Sequence, residues 1–131
     1  MRAKPGIEGN CPCLSGEAYI ECCGRFHGGG ADAATAEQLM RSRYSAFVLL
    51  NGEYLRKTWH PSTLPADLEL DPGMEWRRLD IVSTHRGGPL DNEGIVEFKA
   101  FYRHDGERGV HHETSRFVRE NRRWYYLDAV A

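Results

Sequence analysis

The sequence predicts an α+β fold in which a small cysteine-rich segment precedes one larger domain. All four cysteines lie between residues 11 and 23. From residue 35 to residue 58 apolar side chains recur at helical spacing, and from residue 76 onward they alternate with polar ones. Helices followed by a run of antiparallel strands are typical of a domain in which helices cover one face of a curved sheet.

The charge and the apolar content of the chain limit the kinds of partner that it is expected to bind. The chain has 131 residues, 27% of them charged, and a formal net charge of −2. A general nucleic-acid binder would show an excess of basic residues, so we expect no nucleic-acid partner. The longest strictly apolar run, residues 46–50, is far too short to cross a membrane, so we expect no membrane partner. No apolar stretch follows the first four residues, which argues against a signal peptide and favours a reducing cytoplasm.

The segment that opens the larger domain predicts two helices. Thr35 and Gln38 fit a capping box, in which each side chain pairs with the free backbone N–H of the other residue. The apolar stripe that follows contains Ala36, Met40, Phe47 and Leu50, with Leu39 beside it. Asn51-Gly52 predicts the end of this helix, and residues 53–58 predict a second, shorter one.

The second half of the chain predicts a meander of four strands. The expected strands are residues 76–84, 94–102, 112–119 and 123–130. In the second of these, alternation places on one face Val96, Phe98, Ala100 and Tyr102. Residues 104–106 predict a hairpin turn and residues 120–122 another tight turn, so consecutive strands should be neighbours in the sheet.

The cysteines form two close pairs, Cys11-Pro12-Cys13 and Cys22-Cys23, separated by eight residues. Four thiolates complete a closed tetrahedral shell around zinc and leave no position for a substrate, so we predict a structural Zn²⁺ with all four as ligands. Two disulfides would need strained short rings, idle thiols would need no clustering, and the usual spacing of iron–sulfur ligands is absent. Ser15 fits the cap of a short helix over residues 17–23 that ends at Gly24 and delivers the second pair.

The chain divides into two parts of unequal size. Residues 1–10 predict a poorly ordered arm, and the three glycines at 28–30 with the small residues up to Ala34 predict a flexible linker. We therefore divide the chain into residues 1–30, which hold the zinc-binding segment and linker, and residues 31–131, which form the larger α+β domain.

Several local motifs resemble known families. Residues 11–16, together with Tyr19 and residues 22–24, resemble the SEC-C zinc motif, in which glycine usually stands at the position of Leu14. Similarity to the YchJ-like family of uncharacterised bacterial proteins is carried by residues 39–47, 54–55, 57–61, 115–117 and 124–128. The resemblance covers nearly the whole chain. It implies a small N-terminal zinc knuckle joined to a nuclear-transport-factor-2-like (NTF2-like) domain, a cone of helices packed on a curved antiparallel sheet.

Arg43 is the unusual residue of the first helix, because it lies on the apolar stripe that should face the core. A buried arginine needs an acceptor. It can pair with a carboxylate and backbone carbonyls and so fix the helix to the sheet, or it can bind an anionic ligand. The carboxylates that could reach it from the sheet are Asp80, Glu97, Glu113 and Asp128.

Five residues are predicted to line a pocket in the cone. They are Arg43, Tyr44, Trp59, His112 and Asp128. His111 and His112 alternate across a strand, so at most one of them faces a cavity. A pair formed by His112 and Asp128 would be able to act as a general base. Nothing in the spacing singles that pair out, and we predict no catalytic residue.

Two classes of function are compatible with these features. In the first, the protein is a zinc-binding adaptor whose knuckle contacts a protein partner, while the larger domain is a scaffold. In the second, the cone pocket around Arg43 binds a small ligand or hosts isomerase- or dehydratase-like chemistry, since folds of this type include both enzymes and inert scaffolds. The sequence favours a binding protein over an enzyme. A homodimer that pairs through its sheets is a third hypothesis.

Overall fold

The computed structural model describes residues 9–130 and has the predicted α+β architecture. A 3₁₀ turn, Tyr19–Glu21, is followed by helices α1 (Cys23–His27), α2 (Ala36–Val48) and α3 (Gly52–Lys57). The strands are β1 (Glu75–Arg86), β2 (Glu93–His104), β3 (Glu107–Glu120) and β4 (Arg123–Ala129). Most of the arm predicted for residues 1–10 lies outside the described residues. Within residues 9–130, no helix is both long enough and apolar enough to cross a membrane.

The four strands pair in chain order as one antiparallel sheet, as the meander predicts. Two-residue turns at Asp105-Gly106 and Asn121-Arg122 join β2 to β3 and β3 to β4. All four turn residues have positive φ, between 51° and 80°, which matches the natural twist of a hairpin. Because pairing resumes at once with His104 opposite Glu107, β3 begins at residue 107 rather than at the predicted residue 112.

Helix α2 packs across the inner face of the sheet and supplies most of the helical side of the core. Its buried apolar residues include Leu39, Met40 and Tyr44. The sheet contributes Leu79, Val96, Phe98, Ala100, Phe117 and Trp124. The predicted alternation of β2 is confirmed, since Glu97 and Lys99 are not buried. Full burial of one large apolar side chain contributes about 1.5–3 kcal/mol, so this layer fixes the position of α2.

Helix α2 begins at the predicted cap, with a different partner for Gln38. Thr35 Oγ1 accepts a hydrogen bond from the Gln38 backbone N–H at 3.1 Å. Gln38 Oε1 accepts from the backbone N–H of Ala34 at 2.8 Å, not from that of Thr35. The reciprocal part of the capping box is therefore shifted by one residue.

The end of α2 differs from the prediction. Leu50, rather than Gly52, adopts the left-handed conformation, with φ of 56°, and the Asn51 N–H donates to Ala46 O at 2.8 Å. This arrangement is a Schellman motif. Asn51 instead begins the next helix, because its Oδ1 accepts from the Tyr54 N–H at 3.1 Å in the manner of an N-cap.

Segment 28–34, predicted as a flexible linker, is held at both ends by hydrogen bonds. The Gly30 N–H donates to Arg25 O at 3.1 Å. The Trp124 indole N–H donates to Ala34 O at 3.1 Å. The segment is therefore a packed connection between the cysteine segment and the sheet. The division of the chain into two domains stays a prediction.

Candidate metal centre and adjoining cavity

The four cysteine thiols converge on one site. Their Sγ atoms all lie within 4.8 Å of one another, and those of Cys13 and Cys22 are 3.6 Å apart. In a tetrahedral zinc–thiolate site the sulfurs lie about 3.8 Å from each other, because each Zn–S bond is about 2.3 Å. All four cysteines are free of disulfides within the described residues. The donor set and its spacing therefore fit a metal ion such as zinc.

A tight turn shapes the first cysteine pair. The Cys11 N–H donates to Glu17 O at 2.8 Å, and the Leu14 N–H donates to Cys11 O at 3.0 Å. Leu14 has φ of 64°, the left-handed conformation to which glycine is best suited. Ser15 does not cap a helix as predicted. Its Oγ accepts from the Glu17 N–H at 3.2 Å and lies 3.2 Å from Cys22 Sγ, so it closes the turn instead.

The second cysteine pair lies at a break between two helical segments. The predicted helix over residues 17–23 is wrong, because the 3₁₀ turn ends before Cys22 and α1 begins at Cys23. Cys22 is not helical, with φ of −118° and ψ of −112°. Adjacent side chains of a continuous helix diverge by about 100°, so the break allows both sulfurs to reach one site. Gly24 lies inside α1, where a Cβ would come within 2.7 Å of Tyr19 O.

The thiols are too buried and too close together to carry several uncompensated negative charges. Cys11, Cys13 and Cys23 are buried, and Cys22 is partly buried. Hydrogen bonding to Cys11, and then burial, raise the pKa of Cys13 to about 11. Hydrogen bonds to Cys11 and Cys13, together with burial, also raise the pKa of Cys23. A bound zinc ion would supply the positive charge that stabilises all four as thiolates.

The cysteine segment docks on α2 through polar contacts. His27 Nε2 donates to Ser42 O at 2.8 Å, and His27 Nδ1 accepts from the Tyr19 hydroxyl at 2.6 Å. Because a carbonyl oxygen can only accept, these contacts assign the proton of a neutral imidazole to Nε2. Burial lowers the pKa of His27, which favours this neutral form. Arg41 Nη1 adds a hydrogen bond to Cys13 O at 3.0 Å.

A cavity of about 280 Å³ lies between α2 and the inner face of the sheet. It contains three of the predicted pocket residues, Arg43, Tyr44 and Trp59. The rest of its wall is mostly apolar and includes Met40, Phe47, Trp76, Phe98, Ala100 and Tyr126. Because about 150 Å³ holds one benzene molecule in an apolar protein cavity, this volume admits a ligand of one or two rings.

Arg43 is buried, with 3% of its surface exposed, as its place on the helical stripe predicts. Its Nη1 donates to Leu55 O at 2.9 Å and to Thr58 Oγ1 at 2.8 Å. Its guanidinium carbon lies 5.1 Å from the centroid of the Trp59 ring and 4.7 Å from that of Tyr126, as in cation–π contacts. Burial lowers the pKa of Arg43 to about 10. Helix α3 and the aromatic rings therefore position this cation.

The expected carboxylate partner of Arg43 is not present among residues 9–130. Three of the four candidate acids pair with other residues on the outer face of the sheet. These pairs are Asp80–Arg78, Glu97–His112 and Asp128–Arg116. His112 and Asp128, both predicted in the pocket, therefore lie outside it. Hydrogen bonds from Arg116 at 2.6 and 2.7 Å lower the pKa of Asp128.

Glu113, the fourth acid, lines the cavity beside His111. Its Oε1 accepts from His111 Nε2 at 2.8 Å, and its Oε2 accepts from the Tyr126 hydroxyl at 3.0 Å. The Ser115 hydroxyl also donates to Oε2. The cavity therefore contains a carboxylate held by three donors and, separately, a buried guanidinium.

The sequence model of a family described as "YchJ, middle NTF2-like domain" matches residues 35–129. The chain belongs to the YchJ family. The match includes α2, α3, the four strands and the cavity between them. The membership and the fold that the sequence motifs implied are therefore confirmed.

Relatives of this YchJ-family chain align along most of its length. A UPF0225 protein of Streptomyces coelicolor is 53% identical over 118 residues, which are 90% of this chain and 92% of that protein. A UPF0225 protein of Bordetella pertussis is 45% identical over 131 residues, which are 98% of this chain and 97% of that protein. The similarity therefore extends beyond the NTF2-like domain.

Two solved structures share the fold of this YchJ-family chain. The solution structure of a SEC-C motif containing protein from Rhodopseudomonas palustris has a TM-score of 0.81 and 32% identity, and the alignment covers 93% of this chain and 98% of that one. The crystal structure of a SEC-C motif containing protein from Psychrobacter arcticus has a TM-score of 0.72 and 31% identity, with 98% and 81% covered. Since 98% of this chain is covered, the likeness includes its cysteine segment.

Sequence reasoning about this YchJ-family chain missed His111 and Ser115 as cavity residues. A signal for His111 was available, because Ala100 was predicted to face inward and His111 lies directly opposite Ala100 in the sheet. Residues opposite each other on neighbouring strands share a face. The prediction that only one of the two histidines faces the cavity is correct, and the inward one is His111.

Proposed function

We propose that this YchJ-family protein binds a small organic ligand in the NTF2-like cavity and holds Zn²⁺ as a structural ion. The observation that carries the proposal is an open cavity of about 280 Å³ whose mostly apolar wall includes the buried cation Arg43 and the carboxylate Glu113. Small-ligand sites are typically apolar clefts with a few placed polar groups. Trp59 and Trp76 line this cavity without filling it. We propose no isomerase- or dehydratase-like activity for this cavity.

The proposed role of zinc follows from the donor set. Four thiolates fill a tetrahedral shell and leave no position for substrate, so the ion stabilises structure and does not react. Cys11, Cys13 and Cys23 are buried in the same core as α2. Zinc at this site would therefore fasten the N-terminal segment to the helix that carries Arg43.

Naphthalene is a suitable probe for the ligand site, because two fused rings fit the cavity volume and carry no charge. We expect it to bind the zinc-loaded full chain and to change the tryptophan fluorescence, since Trp59 and Trp76 line the cavity. Fluorescence titration and isothermal titration calorimetry measure the affinity. Failure of naphthalene and of its polar derivatives to bind at their solubility limits would contradict the proposed function.

A cavity-filling variant localises that binding. Ala100 is 3% exposed and lines the cavity, so Ala100→Leu should occupy part of it and weaken naphthalene binding about tenfold. The matched control is Val110→Leu at a strand position with 48% of its surface exposed. Circular dichroism checks that both variants fold. Equal affinity for naphthalene in folded Ala100→Leu and in the control would place the probe elsewhere.

An adaptor role is a second proposal, supported by a different observation. Leu14 and Ile20 flank the cysteine cluster and are 54% and 69% exposed, which is the kind of surface that a protein partner would cover. Leu14→Ser combined with Ile20→Ser should abolish capture of that partner in a pull-down and leave the metal content unchanged. Leu90→Ser, at a site with 94% exposure, is the control. Partners retained by the double variant and by the control alike would reject the adaptor role.

A further inference from the structure

The fixed charges on the cavity wall balance each other. Arg43 forms no ion pair within the described part of the chain, and Glu113, whose side chain is 15% exposed, lines the same cavity. The negative charge of Glu113 favours the charged form of Arg43. A ligand with a net charge would add an uncompensated charge to a mostly apolar cavity, which is costly. The balance therefore favours a neutral ligand.

Hydrogen-bond donors are in excess on the Arg43 side of the cavity. Within residues 9–130, the hydrogen bonds of Arg43 all come from Nη1, so the N–H groups of Nε and Nη2 have no acceptor there. Arg43 is only 3% exposed, and the donors of a buried side chain are nearly always paired with protein, water or a ligand. A ligand at this side should therefore present an acceptor, such as a carbonyl oxygen.

Glu113, the other charged group on the cavity wall, can accept a further hydrogen bond. Glu113 Oε2 already accepts from Tyr126 and Ser115, whereas Oε1 accepts only from His111. Each carboxylate oxygen has two lone pairs, so Oε1 can accept one more hydrogen bond. A ligand at this side should present a donor.

We propose, building on the function proposed above, that the cavity selects a neutral, ring-containing ligand that presents a hydrogen-bond acceptor to Arg43 and a donor to Glu113. A primary aromatic carboxamide is the simplest molecule with this combination. Its ring packs against the apolar wall, its carbonyl accepts from the guanidinium, and its N–H group donates to the carboxylate. The opposite charges of Arg43 and Glu113 disfavour the corresponding carboxylate and ammonium compounds.

Three probes of nearly equal size, together with the unsubstituted ring system, separate the effect of charge from that of shape. Naphthalene, 2-naphthamide, 2-naphthoate and 2-naphthylmethylammonium are titrated calorimetrically into the zinc-loaded full chain at about pH 8, where an ordinary histidine is neutral. We expect 2-naphthamide to bind about tenfold more tightly than each of the other three, because only it makes both hydrogen bonds without adding charge. Binding of 2-naphthoate or of the ammonium compound as tight as that of the amide would overturn the proposal.

A charge-removing variant tests the balance itself. Glu113→Gln keeps the shape of the side chain and removes its negative charge, which leaves Arg43 uncompensated. We expect the affinity ratio of 2-naphthoate to 2-naphthamide to rise about tenfold in this variant. Glu97→Gln on the outer face of the sheet is the matched control and should leave the ratio unchanged. An unchanged ratio in folded Glu113→Gln would overturn the proposal, and the wild-type series decides if that variant does not fold.

The outcomes distinguish this inference from the proposed function. Equal affinities for all four probes would reject polar selection by Arg43 and Glu113, while the cavity would remain a ligand site. Absence of binding by every probe, naphthalene included, would reject the proposed function and this inference together.

Discussion

Leu14 holds a backbone conformation that suits glycine, and it does so beside two cysteines of the proposed metal site. Its φ is 64°, and its side chain is 54% exposed. A non-glycine residue in this region costs about 1–2 kcal/mol. We therefore expect Leu14→Gly to raise the free energy of unfolding of the zinc-loaded chain by about 1 kcal/mol, since glycine loses part of this gain to its larger unfolded-state entropy. Urea denaturation measures the change.

Leu90→Gly is the matched control for that substitution. Leu90 is 94% exposed and is not among the described residues with positive φ. Glycine there relieves no strain, so the free energy of unfolding should stay the same or fall. If the Leu14→Gly chain is no more stable than the Leu90→Gly chain, the backbone at Leu14 is not strained.

His27 makes stability depend on pH, because it is neutral in the folded chain. Burial lowers its folded pKa below the ordinary value of 6.5. The unfolded chain therefore takes up the proton first, and stability falls as the pH drops below about 6.5 and returns above it. His27→Gln should lose less stability than the wild type between about pH 7.5 and pH 5.5. Thermal denaturation across this range measures how steeply the stability of each chain falls with pH.

The control for His27 is His85→Gln, at an exposed position on β1. The pH dependence of its stability should match that of the wild type, because the exposed His85 side chain makes no hydrogen bond or ion pair within residues 9–130, and the thiolates are common to all three chains. Equal slopes in His27→Gln and the wild type would show that His27 does not titrate as its contacts indicate.

At the residue scale, the sequence predicted which way a side chain points better than it predicted which groups that side chain contacts. Helical spacing correctly placed Arg43 inside, because periodicity depends only on local geometry. Its acceptors, Leu55 O and Thr58 Oγ1, come from α3 and from the C-cap residue of α3, and their approach depends on how two helices pack. In the same way, alternation showed that one of His111 and His112 faces inward. The register with β2 selects His111, and a shift of one residue would reverse the choice.

At the element scale, α3 is the element that holds Arg43 in place, and Asn51 caps it. Asn51 Oδ1 accepts from the Tyr54 N–H at 3.1 Å. Asn51→Ala removes this bond and should lower the free energy of unfolding by about 1 kcal/mol. Asn92→Ala, at an exposed position, is the control and should change stability by less than about 0.5 kcal/mol. Equal stability of the two variants in urea denaturation would argue against the cap.

Element boundaries were harder to predict from sequence than element types. Helices α2 and α3 and all four strands were predicted, because their apolar patterns are strong. Asn51-Gly52 was predicted as a stop, yet Leu50 adopts the left-handed conformation and Asn51 caps the next helix. Two adjacent cysteines on one helix require its last turn to tighten or fray if both sulfurs are to reach one ion, but the sequence did not predict a full break at Cys22. The break arises because two adjacent sulfurs must reach one site, which is a demand of the site rather than a local preference of these residues.

At the scale of the whole molecule, α2 connects the cysteine cluster to the cavity through opposite faces. Ser45 Oγ lies 3.5 Å from Cys11 Sγ on one face, and Arg43 and Tyr44 line the cavity on the other. Loss of zinc should therefore affect both regions. We expect chelation under reducing conditions to lower the Tm by more than about 10 °C, since structural zinc contributes several kcal/mol. It should also weaken naphthalene binding.

Readdition of zinc to the chelated chain is the control and should restore both the Tm and the affinity for naphthalene. A Tm that does not change when the metal content falls to zero would show that the cysteine segment is stable without an ion. In that case the cysteine segment would not need zinc to keep its fold.

The most direct test of the account is a crystal structure of the purified chain with 2-naphthamide and anomalous data at the zinc edge. We expect one anomalous peak about 2.3 Å from the Sγ atoms of Cys11, Cys13, Cys22 and Cys23, and density for the amide between Arg43 and Glu113. An ordered cysteine segment without a zinc peak, together with a cavity empty of the probe, would contradict the central claim that a zinc-fastened segment supports a ligand site.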